Sequence, residues 1–195
     1  MKYYKIKSFA KVNLSLNVLG KLKSNFHRIE SLITFIDLYD EIYIKKSNNK
    51  SHNIKFFGKF SKGIKKKNTI SKLLNYLDKE NILKKKKYSL LIKKNIPQKS
   101  GMGGGSMNAS NVLKYFLRRK IVKITKRDII KISNFVGSDV ILGLDNRNSI
   151  LKSNGKVQKT NNKLGLYLLV VKPKFGCSTK QIYEKVKKYS KTKIK

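Results

Sequence analysis

Between Ser8 and Val18 apolar and polar residues alternate, with Ala10, Val12, Leu14, Leu16 and Val18 on one side and Lys11, Asn13, Ser15 and Asn17 on the other. A period of two is the mark of a strand with one buried and one polar face. Shorter apolar or alternating runs predict further strands at Tyr3–Lys7, Ile29–Asp37, Glu41–Lys45, Asn53–Phe57, Tyr88–Lys93, Ser149–Lys152 and Leu166–Lys172. Helical spacing appears between them. Ile70, Leu73, Leu74 and Leu77 fall on one helical face after Asn68, a good N-cap, and Ala109, Val112, Leu113, Phe116 and Leu117 do so after a run of glycines. A third helix, Lys126–Phe135, is predicted behind Thr125, with Asp128 completing a capping box and Gly137 closing the helix. Strands mixed with helices give an α/β chain of the α+β, two-layer kind. At the C-terminal end, Leu166–Lys172 leads through Pro173 into a predicted helix, Thr179–Tyr189. A strand and one helix cannot bury a core alone. The expected division is therefore a main domain over residues 1–163 and an incomplete second unit over 164–195.

The glycine run changes the picture from fold to chemistry. Lys94 to Ala109 ends a strand and opens an amphipathic helix, and four glycines stand within five positions, Gly101, Gly103, Gly104 and Gly105. Without Cβ atoms, successive N–H groups can turn toward one point, and at a helix start they add to the positive end of the dipole. Such a cradle suits a di- or triphosphate. Its spacing is not G-x-x-x-x-G-K-[ST], and the G-x-G-x-x-G register from Gly101 fails because residue 106 is Ser. A flexible turn or a packing patch of glycines is the alternative, but helical periodicity resumes directly after the run.

Charge adds less than it promises. The net charge is +37, from 47 basic and 10 acidic residues, which would ordinarily suggest a nucleic-acid surface. Only five of the basic residues are Arg, the preferred side chain for bidentate phosphate and guanine contacts, and Ala occurs only twice. The lysine excess reads as codon drift at solvated positions, so nucleic acid is not expected as a partner. A single Cys177 excludes an intramolecular disulfide and a Cys-based zinc site. Met1–Ser8 lacks the apolar core of a signal peptide, and no run is long enough to span a bilayer, so a cytoplasmic protein without membrane contact is expected.

The segment Pro97 to Ser106 resembles the second motif of the GHMP kinases, P-x-x-x-G-x-G-S/G-S/G. Three more blocks extend the resemblance, Ser8–Leu16, Asn25–Leu32 and Val136–Val140, in the order and spacing of the members that phosphorylate a cytidine-diphosphate-linked methylerythritol. The resemblance implies a ribosomal-protein-S5-like N-terminal domain, ATP and Mg²⁺, and transfer to the 2-hydroxyl of a small cytidine-diphosphate substrate in the non-mevalonate route to isoprenoid precursors. It implies a monomer or weak homodimer. Another GHMP kinase acting on homoserine, mevalonate or a sugar, or a nucleotide-binding remnant, stays open beside it. The family's third glycine-rich motif has no counterpart here.

By the same resemblance, Asp139 accepts the proton of the acceptor hydroxyl and Lys11 orients Asp139 and offsets charge on the attacking oxygen. The ATP-binding residues are Pro97, Lys99, Ser100, Gly101, Met102, Gly103, Gly104, Gly105 and Ser106, with the Ser106 hydroxyl available near Mg²⁺. Phe26 and His27 are expected to hold cytosine, the ring by stacking and the histidine by hydrogen bonding, with Asn13, Thr179 and Tyr183 as further substrate contacts. Met107 stands where the family commonly carries a second serine.

Overall fold

The computed structural model describes residues 2–22, 27–154, 156–160, 165–173 and 179–192. Its organising element is a 21-residue strand, β2 (His27–Ser47), paired antiparallel along nearly its whole length with β1 (Tyr4–Lys21). The sequence pattern divides this stretch into four strands where the fold has two. The interruption expected between Asp37 and Glu41 is a β-bulge: Phe9 pairs with Tyr39 but Ala10 with Ile36, so the chain continues past Asp37 and Leu38 without turning. Two further register shifts lie between Asn13 and Ser15 and between Val18 and Gly20. They break the single apolar face the alternation suggests, so Ala10 is buried while Leu16 is exposed.

The second half of β2 pairs on its other side with β4 (Lys87–Lys93), and β3 (Asn53–Phe57) joins β4 in parallel. A parallel neighbour requires a crossover, and α1 (Thr69–Lys79) makes it. Near its start β2 pairs with β5 (Ser149–Leu151), which pairs with β6 (Val157–Lys159). The three-residue β6 carries no alternation to reveal it in the sequence. Helices α1, α2 (Gly104–Arg118) and α3 (Lys126–Val136) contribute to the main core with the sheet. There Ile42 stands opposite Ile92 and Ile44 opposite Leu90, packed with Leu73, Leu77, Phe116 and Ile132. This is the two-layer α+β arrangement expected. The predicted caps form: Asn68 Oδ1 accepts from the Ile70 and Ser71 amides, and Thr125 and Asp128 make a reciprocal box.

The expectation for the last stretch is corrected. Residues 166–172 form no strand, and their apolar side chains stand in solvent, with Tyr167 and Leu169 almost fully exposed. Alternation marks a strand only where another edge and a packed face receive it, and the described residues provide neither here. The predicted helix Thr179–Tyr189 is a shorter α5 (Thr179–Glu184). Beyond it the Ser190 amide donates to the Val18 carbonyl at 2.8 Å, turning the segment back along β1.

One half-buried histidine should give the fold a pH dependence. His52 Nδ1 accepts from the Tyr88 amide at 3.0 Å, so the neutral ring carries its proton on Nε2, 3.1 Å from Asp78 Oδ2. Burial lowers the pKa of His52, only partly offset by Asp78. The unfolded ring takes up a proton below about pH 6.5, and the folded ring does so at a lower pH. Across that window the unfolded chain binds more protons. Stability present above about 6.5 is therefore lost as the pH falls toward the folded pKa. The carboxylates held below their ordinary range, Glu41 by Lys5, Asp145 by Arg147 and Asp128 by the Thr125 cap, are shifted away from this window. Melting temperatures between pH 5 and 7.5 should fall with acidification in the parent and flatten in His52→Gln; an equal slope in both would remove His52 as the cause.

Candidate active site

The predicted glycine element lies between the end of β4 and the start of α2. Three of its residues hold left-handed backbone, Lys99 (φ 53°), Gly101 (φ 74°) and Gly103 (φ 64°). Gly103 is the N-cap of α2 and supplies no side-chain hydrogen bond, and the first turn contains no acidic residue. The first amides of the helix thus have no capping side chain and no competing carboxylate. That donor set fits phosphate oxygens.

The loop is held from several sides. Gln98 Nε2 donates to the Phe60 and Lys62 carbonyls, each at 2.8 Å, and Ser100 Oγ donates to the Pro97 carbonyl at 2.8 Å. Thr69 Oγ1, at the start of α1, donates to the Gly105 carbonyl at 2.7 Å. Met102 is buried with Ala10 and Ile96, and its carbonyl accepts the Lys11 amide hydrogen at 3.2 Å. Met107 is fully buried and packs with Ile33 and Leu142, so its thioether belongs to the core beneath the helix.

Lys11 is, with Lys94, one of two buried lysines among the described residues. It is 6% exposed, on a strand whose neighbours Lys5 and Lys7 are solvent-facing. Its Nζ lies 3.3 Å from Asp139 Oδ2 and donates to Asn13 Oδ1 at 3.4 Å. Asp139 sits at the N-cap of α4 (Val140–Gly143), directly after the turn that Gly137 makes at the end of α3. Apolar Val140 and Leu142 anchor that turn in the core, leaving the carboxylate partly exposed. Gly103 touches both partners: a Cβ there would lie 3.1 Å from Lys11 Cγ and 3.4 Å from Asp139 Oδ2. The phosphate-type loop and the charged pair therefore form one site. Ser106 Oγ lies on its α3 side, 3.0 Å from where a Cβ on Gly137 would stand.

The aromatic part closes on the same place. His27, first residue of β2, stacks on Tyr183 of α5 with ring centroids 5.1 Å apart and planes 16° from parallel. Tyr183 has its pKa raised by burial and, to a smaller extent, by the negative charge of Asp139. Phe26 lies outside the described residues, as does the side chain of Thr179. Among the described residues no three His, Cys, Asp or Glu side chains cluster to hold a metal. Mg²⁺ carried in on nucleotide phosphates fits such a site, with the Ser106 hydroxyl as the nearby protein oxygen. No helix among the described residues is long and apolar enough to cross a membrane.

The periodicity does not reveal the support beneath the loop. Asp40 is completely buried, forms an ion pair with Lys94 and accepts from the Asn95 and Ile96 amides and from Asn108 Nδ2. A carboxylate between apolar Leu38, Tyr39 and Ile42 was the available signal, since a buried charge demands partners.

Comparison with known proteins places the chain in one family. The model of the GHMP kinases N terminal domain matches residues 68–147. A 4-diphosphocytidyl-2-C-methyl-D-erythritol kinase of Pelagibacter ubique is 57% identical over 191 residues, covering 98% of this chain and 68% of its own length. A 4-diphosphocytidyl-2-C-methyl-D-erythritol kinase of Clostridium perfringens is 31% identical, covering 92% of this chain and 62% of its own length. The crystal structure of a 4-(cytidine 5'-diphospho)-2C-methyl-D-erythritol kinase shares the fold, with a TM-score of 0.64 and 22% identity over 80% of this chain and 55% of that one.

Proposed function

The chain belongs to the 4-diphosphocytidyl-2-C-methyl-D-erythritol kinases of the GHMP kinase family, and from that premise we propose that it transfers the γ-phosphate of Mg-ATP to the 2-hydroxyl of 4-diphosphocytidyl-2-C-methyl-D-erythritol. The observation that carries the reading is the Lys11–Asp139 pair at 3.3 Å, set against Gly103 at the head of α2. Asp139 takes the proton of the acceptor hydroxyl as its oxygen bonds to the γ-phosphorus, and the bond to the β,γ-bridging oxygen breaks to release ADP. Lys11 holds the carboxylate in position and lowers the energy of the negative charge at the attacking oxygen. Pro97, Lys99, Ser100, Gly101, Met102, Gly103, Gly104, Gly105 and Ser106 line the triphosphate path, where positioning and charge neutralisation supply most of the catalysis. Ser106 would stand beside Mg²⁺, which would supply positive charge to the ATP phosphates.

His27 and Tyr183 form the cytosine site, with Phe26, Asn13 and Thr179 completing the substrate contacts. The stacked rings support this role because a flat pyrimidine replaces one ring of such a pair without new geometry. Residues 1–163 serve as the ATP-binding domain and 164–195 as the beginning of the second domain, in a cytoplasmic monomer or weak homodimer. Purified chain with Mg-ATP should phosphorylate the cytidine-diphosphate acceptor and leave homoserine, mevalonate and galactose unmodified. His27→Ala should raise the KM for the cytidine acceptor about tenfold, the scale of one lost stacking or polar contact, without moving that for ATP. Equal use of an acceptor lacking cytosine would overturn the reading.

A further inference from the structure

One buried carboxylate holds both ends of the glycine loop. Asp40 reaches from the middle of β2 to the chain leaving β4, where it pairs with Lys94 Nζ and accepts from the Asn95 amide at 2.7 Å and the Ile96 amide at 2.8 Å. Its second oxygen also accepts from Asn108 Nδ2 at 2.9 Å, in the second turn of α2. The residues between these anchors contain the three left-handed positions and the unblocked helix amides. The two ends also touch each other. A Cβ on Gly104 would lie 3.1 Å from Ile96 Cγ2 and 3.4 Å from Lys94 Nζ, so the buried ammonium sits under the first turn of α2. Asn108 makes this contact through its amide nitrogen alone, since its Oδ1 is buried with no hydrogen-bond partner among the described residues.

We propose that the Asp40–Lys94–Asn108 node sets the separation between the loop entry and α2, and through it the affinity for the nucleotide triphosphate; all three act as positioning residues, and the inference rests on the loop being the ATP site. A backbone that spends three residues in left-handed conformation has little intrinsic preference for one shape. A cradle of N–H donors binds phosphate well only when its donors are already aligned. Asp40 supplies that alignment by fixing entry and exit to the same atom pair. Lys94 offsets the carboxylate's charge within the ion pair and adds positive charge below the helix start, itself buried. The amides of Asn95 and Ile96 are spent on Asp40, so the donors left for phosphate lie downstream of Pro97.

The test uses the full chain and Mg-ATP, with binding by calorimetry beside turnover. Asn108→Ala removes only the tie to α2. It should weaken Mg-ATP about tenfold, an effect on the scale of one charge-assisted hydrogen bond, and leave kcat at saturation and the KM for the acceptor within about threefold. Asp40→Asn combined with Lys94→Met removes the buried charge pair together, avoiding an unpaired ion, and should weaken Mg-ATP at least as much. A purely structural node would lower the melting temperature and the active fraction while leaving the affinity of folded molecules unchanged. Folded Asn108→Ala that binds Mg-ATP within twofold of the parent overturns the proposal; if it does not fold, the double variant decides, and failure of both to fold overturns it as well. Parent chain that binds Mg-ATP without transferring phosphate sinks only the kinase reading, whereas parent chain that binds no nucleotide sinks both.

Discussion

Asp139→Asn and Lys11→Met should each lower turnover by ~10² or more while the chain still folds and binds nucleotide, because in the proposed mechanism each removes a group that acts mainly in the transition state. A factor of that size is about 2.7 kcal/mol in activation free energy. Local geometry explains why folding should survive. The Asp139 side chain is one-third exposed, so losing Lys11 returns its carboxylate to water instead of stranding it. Lys11 is buried, but Met keeps most of its aliphatic stem against Gly103, and in Asp139→Asn the ammonium keeps Asn13 Oδ1 at 3.4 Å. Because the proposed mechanism has both groups serve one proton transfer, the double variant should lose little more than the worse single variant, far less than the product of the two losses. Steady-state kcat, melting temperature and Mg-ATP affinity measured on all three variants decide the matter. A loss below tenfold in either single variant, with folding intact, would remove that residue from the assigned role.

The sequence made the helices and most strand positions legible, because those elements obey local rules. Asn68, Thr125 and Asp128 cap where capping chemistry requires, and the apolar spacing of α1 is the face buried in the core. What it hid were features decided by partners distant in the chain. The alternation predicted one strand ending at Asp37 and another beginning at Glu41. Yet β2 runs through them, since a bulge absorbs the misfit and Asp40 finds Lys94 and Asn108. Apolar alternation at Leu166–Val171 suggested a strand, but no edge among the described residues receives it.

The site was legible in a similar way. The glycine run announced an anion cradle by its own composition, whereas a single lysine among 47 basic residues could be chosen only through the family resemblance. Burial then separates Lys11 from its neighbours, and the distance to Asp139 joins two residues 128 positions apart (139 − 11). His27 and Tyr183, similarly remote in sequence, meet as a stacked pair. Phe26, the partner expected beside His27, lies outside the described residues. Met107 suggested a hydroxyl missing from the cradle, but its burial with Ile33 and Leu142 assigns it to packing.

Gly103→Ala should reduce kcat by roughly ten- to a hundredfold, the range expected when reacting groups are displaced by up to an ångström. Two costs combine at this position. With φ at 64° the backbone is left-handed, which costs a residue bearing a Cβ about 1 kcal/mol. The added methyl group would also press on Lys11 Cγ at 3.1 Å and Cε at 3.2 Å and approach Asp139 Oδ2 at 3.4 Å. Gly63 separates these contributions. It has φ 81° and nothing within 4 Å of its β position, so Gly63→Ala carries backbone strain without the collision. Both variants should melt at lower temperature, Gly103→Ala by at least as much as Gly63→Ala, but only Gly103→Ala should lose turnover at saturating substrates. If Gly103→Ala kept kcat within threefold of the parent, the glycine would matter for backbone conformation alone. The damage should also pass through the charged pair. In chains already carrying Asp139→Asn, adding Gly103→Ala should cost little further turnover, because the geometry it disturbs no longer contributes to proton transfer.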